Sequence, residues 1–268
     1  MMLNAKVEFA YGHKSLFVSK ELQGATMDKI NSVAEYLECL KGLNWKPGQR
    51  PWYRGHAEKA WGLMPGYHRM KRPPPESVLI NRFKQNANLL IAQRPKTNFE
   101  WLFLMQHYGV PTRLLDWTES PLTALYFSVV GSPKRDGAIW VLDPVKLNQA
   151  TKARPDDYKF VPSFDDDRVR DYETHVVEAK PDLVMEPMAL IATRNNARIQ
   201  AQLGVFTISH HAKRDLVQIG DGNHVTGFEV PNTKKKRILE ELEILAYGKF
   251  QVFPELSSIG DIIRGDMR

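Results

Sequence analysis

Apolar residues in this chain recur with two different periods, and the two are interleaved without a regular strand–helix–strand beat. That irregular order constrains the architecture more than any other feature. A doubly wound parallel sheet needs a crossover helix after nearly every strand, whereas mixed runs suit an α+β domain with a mixed or antiparallel sheet flanked by helices. The spacing of Ile30, Val33, Leu37 and Leu40 predicts a helix over Met27 to Lys41, with Gly42 as its C-cap. After the Pro47-Gly48 turn, residues 51–55 read as a short strand. A helix follows Pro73-Pro74-Pro75, with Leu79, Phe83, Ala87 and Leu90 inward, and another runs from Phe99 to Tyr108, capped by Asn98 and ended by Gly109.

Thr112 to Asp116 is extended, and Ser120 with Pro121 is a strong start signal for a helix reaching Gly131. Ala138 to Leu142 reads as a buried strand, and Asn195 to Gln202 as a short helix. Strands at Val205 to Ile208 and Val225 to Val230 come next, then a helix over Thr233 to Ala246 with Ile238, Leu242 and Leu245 inward, and a closing segment over residues 250–256. Residues 151–186 carry several prolines, an Asp165-Asp166-Asp167 run and little periodicity, so they read as an irregular and mobile segment. We therefore divide the chain into an N-terminal extension over residues 1–25 and one domain over residues 26–268.

With 43 % apolar residues in 268, the chain can bury a proper core. Cys39 stands alone, so no internal disulfide can form, and a reducing compartment fits. No run approaches the roughly 18 apolar residues of a membrane span, and the first twenty residues lack the apolar core of a signal peptide. A soluble, cytoplasmic protein is the expectation. A net charge of +6 permits anionic partners without demanding them, and Lys234-Lys235-Lys236-Arg237 reads as the solvated start of a helix.

Glycine-rich phosphate loops, nucleophile elbows, zinc-helix motifs and paired cysteines are absent. Cys39 reads as a small buried hydrophobe. His210 and His211, placed on a strand, would face opposite ways and so share no metal. Two segments are chemically denser. In Trp52-Tyr53-Arg54-Gly55-His56 a permanently charged guanidinium follows two rings and precedes a residue that lets a ligand or backbone come close. Arg54 is thus either an anion-binding group or the partner of a structural carboxylate such as Asp116. The second segment, residues 105–121, gathers Gln106, His107, Tyr108, Thr112, Arg113, Asp116, Trp117, Thr118 and Ser120 between two predicted helices. Binding groups concentrate in such connections, although Asp116 and Thr118 could equally cap the next helix.

Four stretches in order resemble the FRG domain family, named for its Phe/Tyr-Arg-Gly motif. They are Tyr53-Arg54-Gly55; the run from His107 through Asp116-Trp117-Thr118 to Pro121; Arg198 with Gln202, Gly204 and Phe206; and Phe253-Pro254-Glu255-Leu256, where Asp is expected at the third place. The resemblance covers residues 30–265 and implies a part in bacterial or phage conflict, as a toxin or phage-defence effector. The order Arg54, then Thr118 with Ser120, then Gln202 is also similar to that of mono-ADP-ribosyltransferases. That likeness implies an enzyme using NAD: Arg54 on the diphosphate, Thr118 and Ser120 orienting the nicotinamide ribose, Gln202 where a carboxylate is usual, and Trp117 or Tyr108 stacked on the nicotinamide. Tyr53, Gly55, His107, Arg113 and Asp116 would complete the nucleotide site, with Glu229 and Glu255 as alternative carboxylates and no metal. The reaction would resemble glycoside cleavage, through an oxocarbenium-like transition state. The competing reading is a nucleotide or nucleic-acid sensor using Arg54, Arg113 and Lys234 to Arg237; a third is an interaction module whose motifs are structural.

Overall fold

The computed structural model describes residues 27–91, 94–151, 160–194 and 197–267; the expected N-terminal extension lies outside them. Strand β1 (Asp28–Lys29) precedes α1 (Val33–Gly42), whose Ser32 side chain accepts from the Glu35 N–H. Strand β2 (Trp52–His56) is followed by α2 (Gly66–Arg69), α3 (Glu76–Ala87) and α4 (Asn98–His107). Next come β3 (Leu114–Thr118) and α5 (Pro121–Val129), which Ser120 caps through the Thr123 N–H with Pro121 in the first turn. Strand β4 (Gly137–Leu142) leads into α6 (Pro144–Ala150), capped by Asp143. A 3₁₀ turn (Asp167–Tyr172), α7 (Thr174–Ala179), β5 (Met188–Leu190), α8 (Ala197–Ala201) and β6 (Gly204–Ile208) follow. The chain closes with β7 (Val225–Val230), α9 (Asn232–Ile244), α10 (Lys249–Val252) and α11 (Leu256–Asp266).

The strands form one mixed sheet in the order β1-β7-β4-β2-β3-β6-β5, with β1–β7 parallel and every other pair antiparallel. This is the α+β fold expected. Pleating divides each strand between two faces. Trp52, Trp117, Trp140, Leu142 and Val205 meet on one face, under Leu63, Leu147 and Leu216. On the other, α1, α5 and α9 cover Tyr53, Ile139, Val141 and Phe228, while α3, α4 and the Phe164–Tyr172 stretch cover Leu114, Phe206 and Leu190. These two clusters part over β3. Asp116 and Thr118 therefore lie in a seam between them, Asp116 exposed and Thr118 buried.

Several elements differ from expectation for local reasons. The stretch expected to open the first helix is strand β1, because Ile30 continues the ladder by donating to the Glu229 carbonyl at 2.8 Å. Thr97, not Asn98, caps α4, through a reciprocal pair with Glu100. Leu37, Leu90 and Leu245 point outward, at 46, 84 and 56 % exposure. In α1 the inner stripe runs through Val33 and Tyr36 instead, while Leu90 and Leu245 lie past the ends of their helices. The described part of 151–186 is ordered into the core: Val169 and Tyr172 are fully buried. His210 and His211 follow β6 rather than lying on it, and their rings sit edge to face with centroids 4.7 Å apart. Among the described residues, no helix is long and apolar enough to cross a membrane.

Helix α5 lies directly on the sheet. A Cβ built on Gly55 would fall 1.9 Å from the Ala124 carbonyl oxygen and 2.8 Å from the Ser128 nitrogen; one on Gly137 would fall 2.4 Å from the Ser128 oxygen. Backbone cannot yield as a side-chain tip can. Gly55→Ala should therefore cost ~3 kcal/mol or more, at the upper end for overpacked sites. Gly42, with nothing within 4 Å, is the control: Gly42→Ala in the last turn of α1 should be neutral or stabilising by up to ~1 kcal/mol. Chemical denaturation of both variants checks the contrast, and equal effects would refute the close contact.

Candidate functional site

Arg54 sits where β2 and β3 are joined by a single ladder pair, Tyr53 with Thr118. The half-buried guanidinium bridges the gap beyond it. Its Nη1 donates to the Asp116 backbone carbonyl at 2.5 Å, and its Nε donates to His56 Nε2 at 2.8 Å. An acceptor nitrogen carries no proton, so the His56 ring is the Nδ1–H tautomer. Trp140 Nε1, 3.3 Å from that Nδ1, is then an N–H facing an N–H and not a donor to it. Burial, followed by the charges of Arg54 and Arg69, holds His56 well below the ordinary histidine range, against a hydrogen bond with the Trp61 backbone. A neutral imidazole thus steers the cation.

The Asp116 carboxylate points from the opposite face of β3 into the seam. Gln106, in the last turn of α4, donates from Nε2 to Asp116 Oδ2 at 2.7 Å and to the Leu114 carbonyl at 3.3 Å. Its Oε1 accepts from the Thr112 hydroxyl, which fixes the amide's orientation. Polar Gln106 ends the otherwise apolar run Trp101 to Met105 and belongs to the dense polar segment noted in the sequence.

The remaining motif residues are linked to one another next to the end of β3. Thr118 Oγ1 donates to the Gln202 carbonyl and accepts from the Ser120 N–H at 2.9 Å, while the Ser120 hydroxyl caps α5. Gln202 spends its side-chain amide on the Val252 carbonyl at 3.1 Å. Arg198 donates to the His107 carbonyl at 3.3 Å, lies over the Phe253 ring at 4.7 Å and has Glu255 at 3.9 Å. Burial first, then Arg198, lowers the pKa of His107, so its 4.0 Å approach to Glu255 is a polar contact and not an ion pair at neutral pH. Tyr108, 64 % exposed, stands edge to face with His107 and has the Phe83 ring 6.2 Å away. The four sequence motifs are therefore joined in one chain of contacts that starts at β3.

Other expected residues stand apart from the seam. Trp117 is buried on the opposite sheet face, donating to Thr207 Oγ1 at 3.2 Å. Arg113 is 2 % exposed and bonds Glu76 Oε2 and the carbonyls of Ser209 and Tyr172, each at 2.8 Å, in the wall of a cavity of about 460 Å3 that also holds His68 and His210. Glu229 pairs with Lys29 and Lys59 on β7, which two strands separate from β3. The basic run is divided: Lys235 is buried on the carbonyls of Ala57, Gly131 and Ser132, while Lys236 and Arg237 face Glu240 and Glu241. Asp166 caps the 3₁₀ turn and pairs with Arg168. Among the described residues, no three His, Cys, Asp or Glu side chains converge to hold a metal ion.

Residues 49–137 match the family model described as FRG domain. The match takes in β2, α4, β3 and α5, hence Arg54, Gln106 and Asp116; the Arg198–Phe206 and Phe253–Leu256 motifs lie beyond it. No curated protein and no solved structure gives a significant match.

Removing one partner of the buried Arg113–Glu76 pair leaves an uncompensated charge. Arg113→Leu should cost ~3–5 kcal/mol, and a second change, Glu76→Leu, should recover much of it; urea titration of the two variants tests this. Five histidines are held below their ordinary range, His68 and His210 at about 4, chiefly by burial. Below pH ~6.5 the unfolded chain binds protons that the folded one refuses, so these groups leave stability untouched above that pH and erode it on acidification. Thermal midpoints should fall steadily from pH 6.5 to 4, each group adding up to ~1.4 kcal/mol per pH unit. A flat profile across that window would contradict the assignment.

Proposed function

We propose that the seam along β3 binds NAD and breaks its bond to nicotinamide, making the protein an ADP-ribosyltransferase-like or NAD-glycohydrolase-like enzyme. One observation carries the reading: an exposed carboxylate, Asp116, is locked by Gln106 on the strand whose Asp116 backbone carbonyl holds the Arg54 guanidinium on the other face. Arg54 supplies positive charge for a diphosphate, with a planar fork that suits phosphate oxygens. Tyr108 offers the exposed ring for a nicotinamide or adenine. Thr118 and Ser120 shape the turn that carries Asp116 into α5.

In this reading Asp116 takes the role that sequence order assigns to Gln202, whose amide is committed elsewhere. The ribose C1′–N bond breaks with its electron pair leaving on nicotinamide. Asp116 stabilises the cationic sugar, a charge that develops only in the transition state. Water or an acceptor nucleophile then attacks C1′, and its proton passes through Asp116 to solvent. An NAD-consuming effector of bacterial or phage conflict, acting in the cytoplasm where NAD is held, is the setting this chemistry fits.

Nicotinamide release from NAD, followed chromatographically, tests the proposal. Asp116→Asn keeps shape and should lower the rate ~10²–10³-fold, the usual loss for one transition-state charge contact, with the melting temperature nearly unchanged. Arg54→Ala should lower both rate and stability, since it also ties β2 to β3. Absence of nicotinamide release by the wild type, or full activity in Asp116→Asn, would overturn it.

A further inference from the structure

The ladder pair Gly137–Val230 closes β4 against β7 and so sets the loop over residues 131–136 beside the first turn of α9. Asn232 ties the two: its N–H donates to Asp136 Oδ1 at 2.8 Å, and its Nδ2 donates to the Lys134 carbonyl at 3.3 Å. The stretch after β2 joins them, since the Lys59 N–H donates to the Asp136 carbonyl at 2.7 Å. Beneath, the buried Lys235 ammonium donates to the carbonyls of Ala57, Gly131 and Ser132, at 2.6, 3.4 and 3.2 Å. The loop is itself a closed turn, with the Arg135 N–H on the Ser132 carbonyl at 3.0 Å. Backbone held at so many points keeps the side chains it carries grouped before any partner arrives.

Most of those side chains are basic. Lys134 and Arg135 are exposed on the turn, and Lys234 is half-buried in the first turn of α9. Among the described residues, none of these three forms an ion pair, whereas Lys59 and Lys236 beside them pair with Glu229 and Glu240. The nearby carboxylates are committed. Glu58 accepts from the Ser132 hydroxyl at 2.8 Å, Asp136 accepts from Asn232, and both offset the buried Lys235 charge. Glu35, which feels Lys234 at longer range, is bonded to Asn31. Positive charge is thus left in excess at one place, where self-repulsion costs stability that a bound polyanion would restore.

We propose that this platform binds the phosphate backbone of duplex nucleic acid without reading its sequence. Within residues 57–59, 131–136 and 232–236 no aromatic or large aliphatic side chain is exposed, and Val130 before the loop is a lone aliphatic. A protein partner needs a buried aromatic or aliphatic anchor, a membrane surface rewards apolar insertion, and single strands need rings to stack on. Charge without anchors suits regularly spaced phosphates, which lysine and arginine hold by releasing counterions. The platform shares no residue with the seam along β3, and the inference is independent of the NAD-cleaving reading.

Fluorescence anisotropy of the full chain with a labelled DNA duplex of about two helical turns, across ~50–200 mM salt, tests it. Log affinity should fall against log salt with a slope of about −3, one unit for each of Lys134, Arg135 and Lys234. Lys134→Ala and Arg135→Ala remove exposed side chains without partners, so both should fold, and each should reduce the magnitude of the slope by about 1. Changing all three residues to alanine should cost roughly tenfold or more in affinity at ~50 mM salt. Lys213→Ala removes an equal charge at the cavity beside Arg113 and should change nothing. No duplex binding at low salt, an unchanged slope in the triple variant, or an equal loss in Lys213→Ala would overturn the platform. So would loss of duplex binding in Asp116→Asn, because that places the duplex at the seam. Vesicles of equal parts phosphatidylserine and phosphatidylcholine that capture the wild type but not the triple variant, while the duplex binds neither, would place a membrane there instead and overturn it too.

Discussion

Helix α5 can rest against the sheet because β2 and β4 each offer it a residue without a side chain. Gly55 and Gly137 bring the backbones of Ala124 and Ser128 within van der Waals reach of the strands. Everything at the seam is referred to that contact. It fixes where α5 begins, hence where Ser120 caps it, hence how Thr118 and Asp116 are presented by β3. The glycine of the Tyr53-Arg54-Gly55 motif is thus a packing residue, and the arginine beside it points to the opposite face.

What Arg54 does is partly architectural. It closes the interval between two strands that pair only once, using a carbonyl of one and an imidazole of the other. Thr118, Ser120 and Gln202 likewise spend their polar groups on backbone. The motif residues divide into a larger set that builds the seam and a smaller set, Asp116 and Tyr108, that it displays.

Local chemistry was the legible part of the sequence. Ser120 with Pro121 announced α5 because a cap needs only its own next three residues, and the α+β class followed from the order of periods. Leu37 was misplaced because a stripe of 3.6 periodicity does not say how wide the covering layer is, and Leu245 because the helix stops one residue before it. Strand β5, of three residues, and α2, of four, are too short to show a period. The link between Arg54 and Asp116 depends on strand register across 62 positions, and that between Lys134 and Asn232 on the β4–β7 ladder. Neither relation is written in any neighbourhood of the chain.

Among the described strands, only β2–β3 and β5–β6 join neighbours that are consecutive along the chain. Strand β7 slots between β1 and β4, so the flank of β4 has no partner until Val225–Val230 have been synthesised. A ribosome delivers the chain from its N-terminus, and a bare strand flank recruits other strands. The interval between making Leu142 and making Val230 is therefore when this polypeptide is most open to mispairing, and when a chaperone has the most to shield.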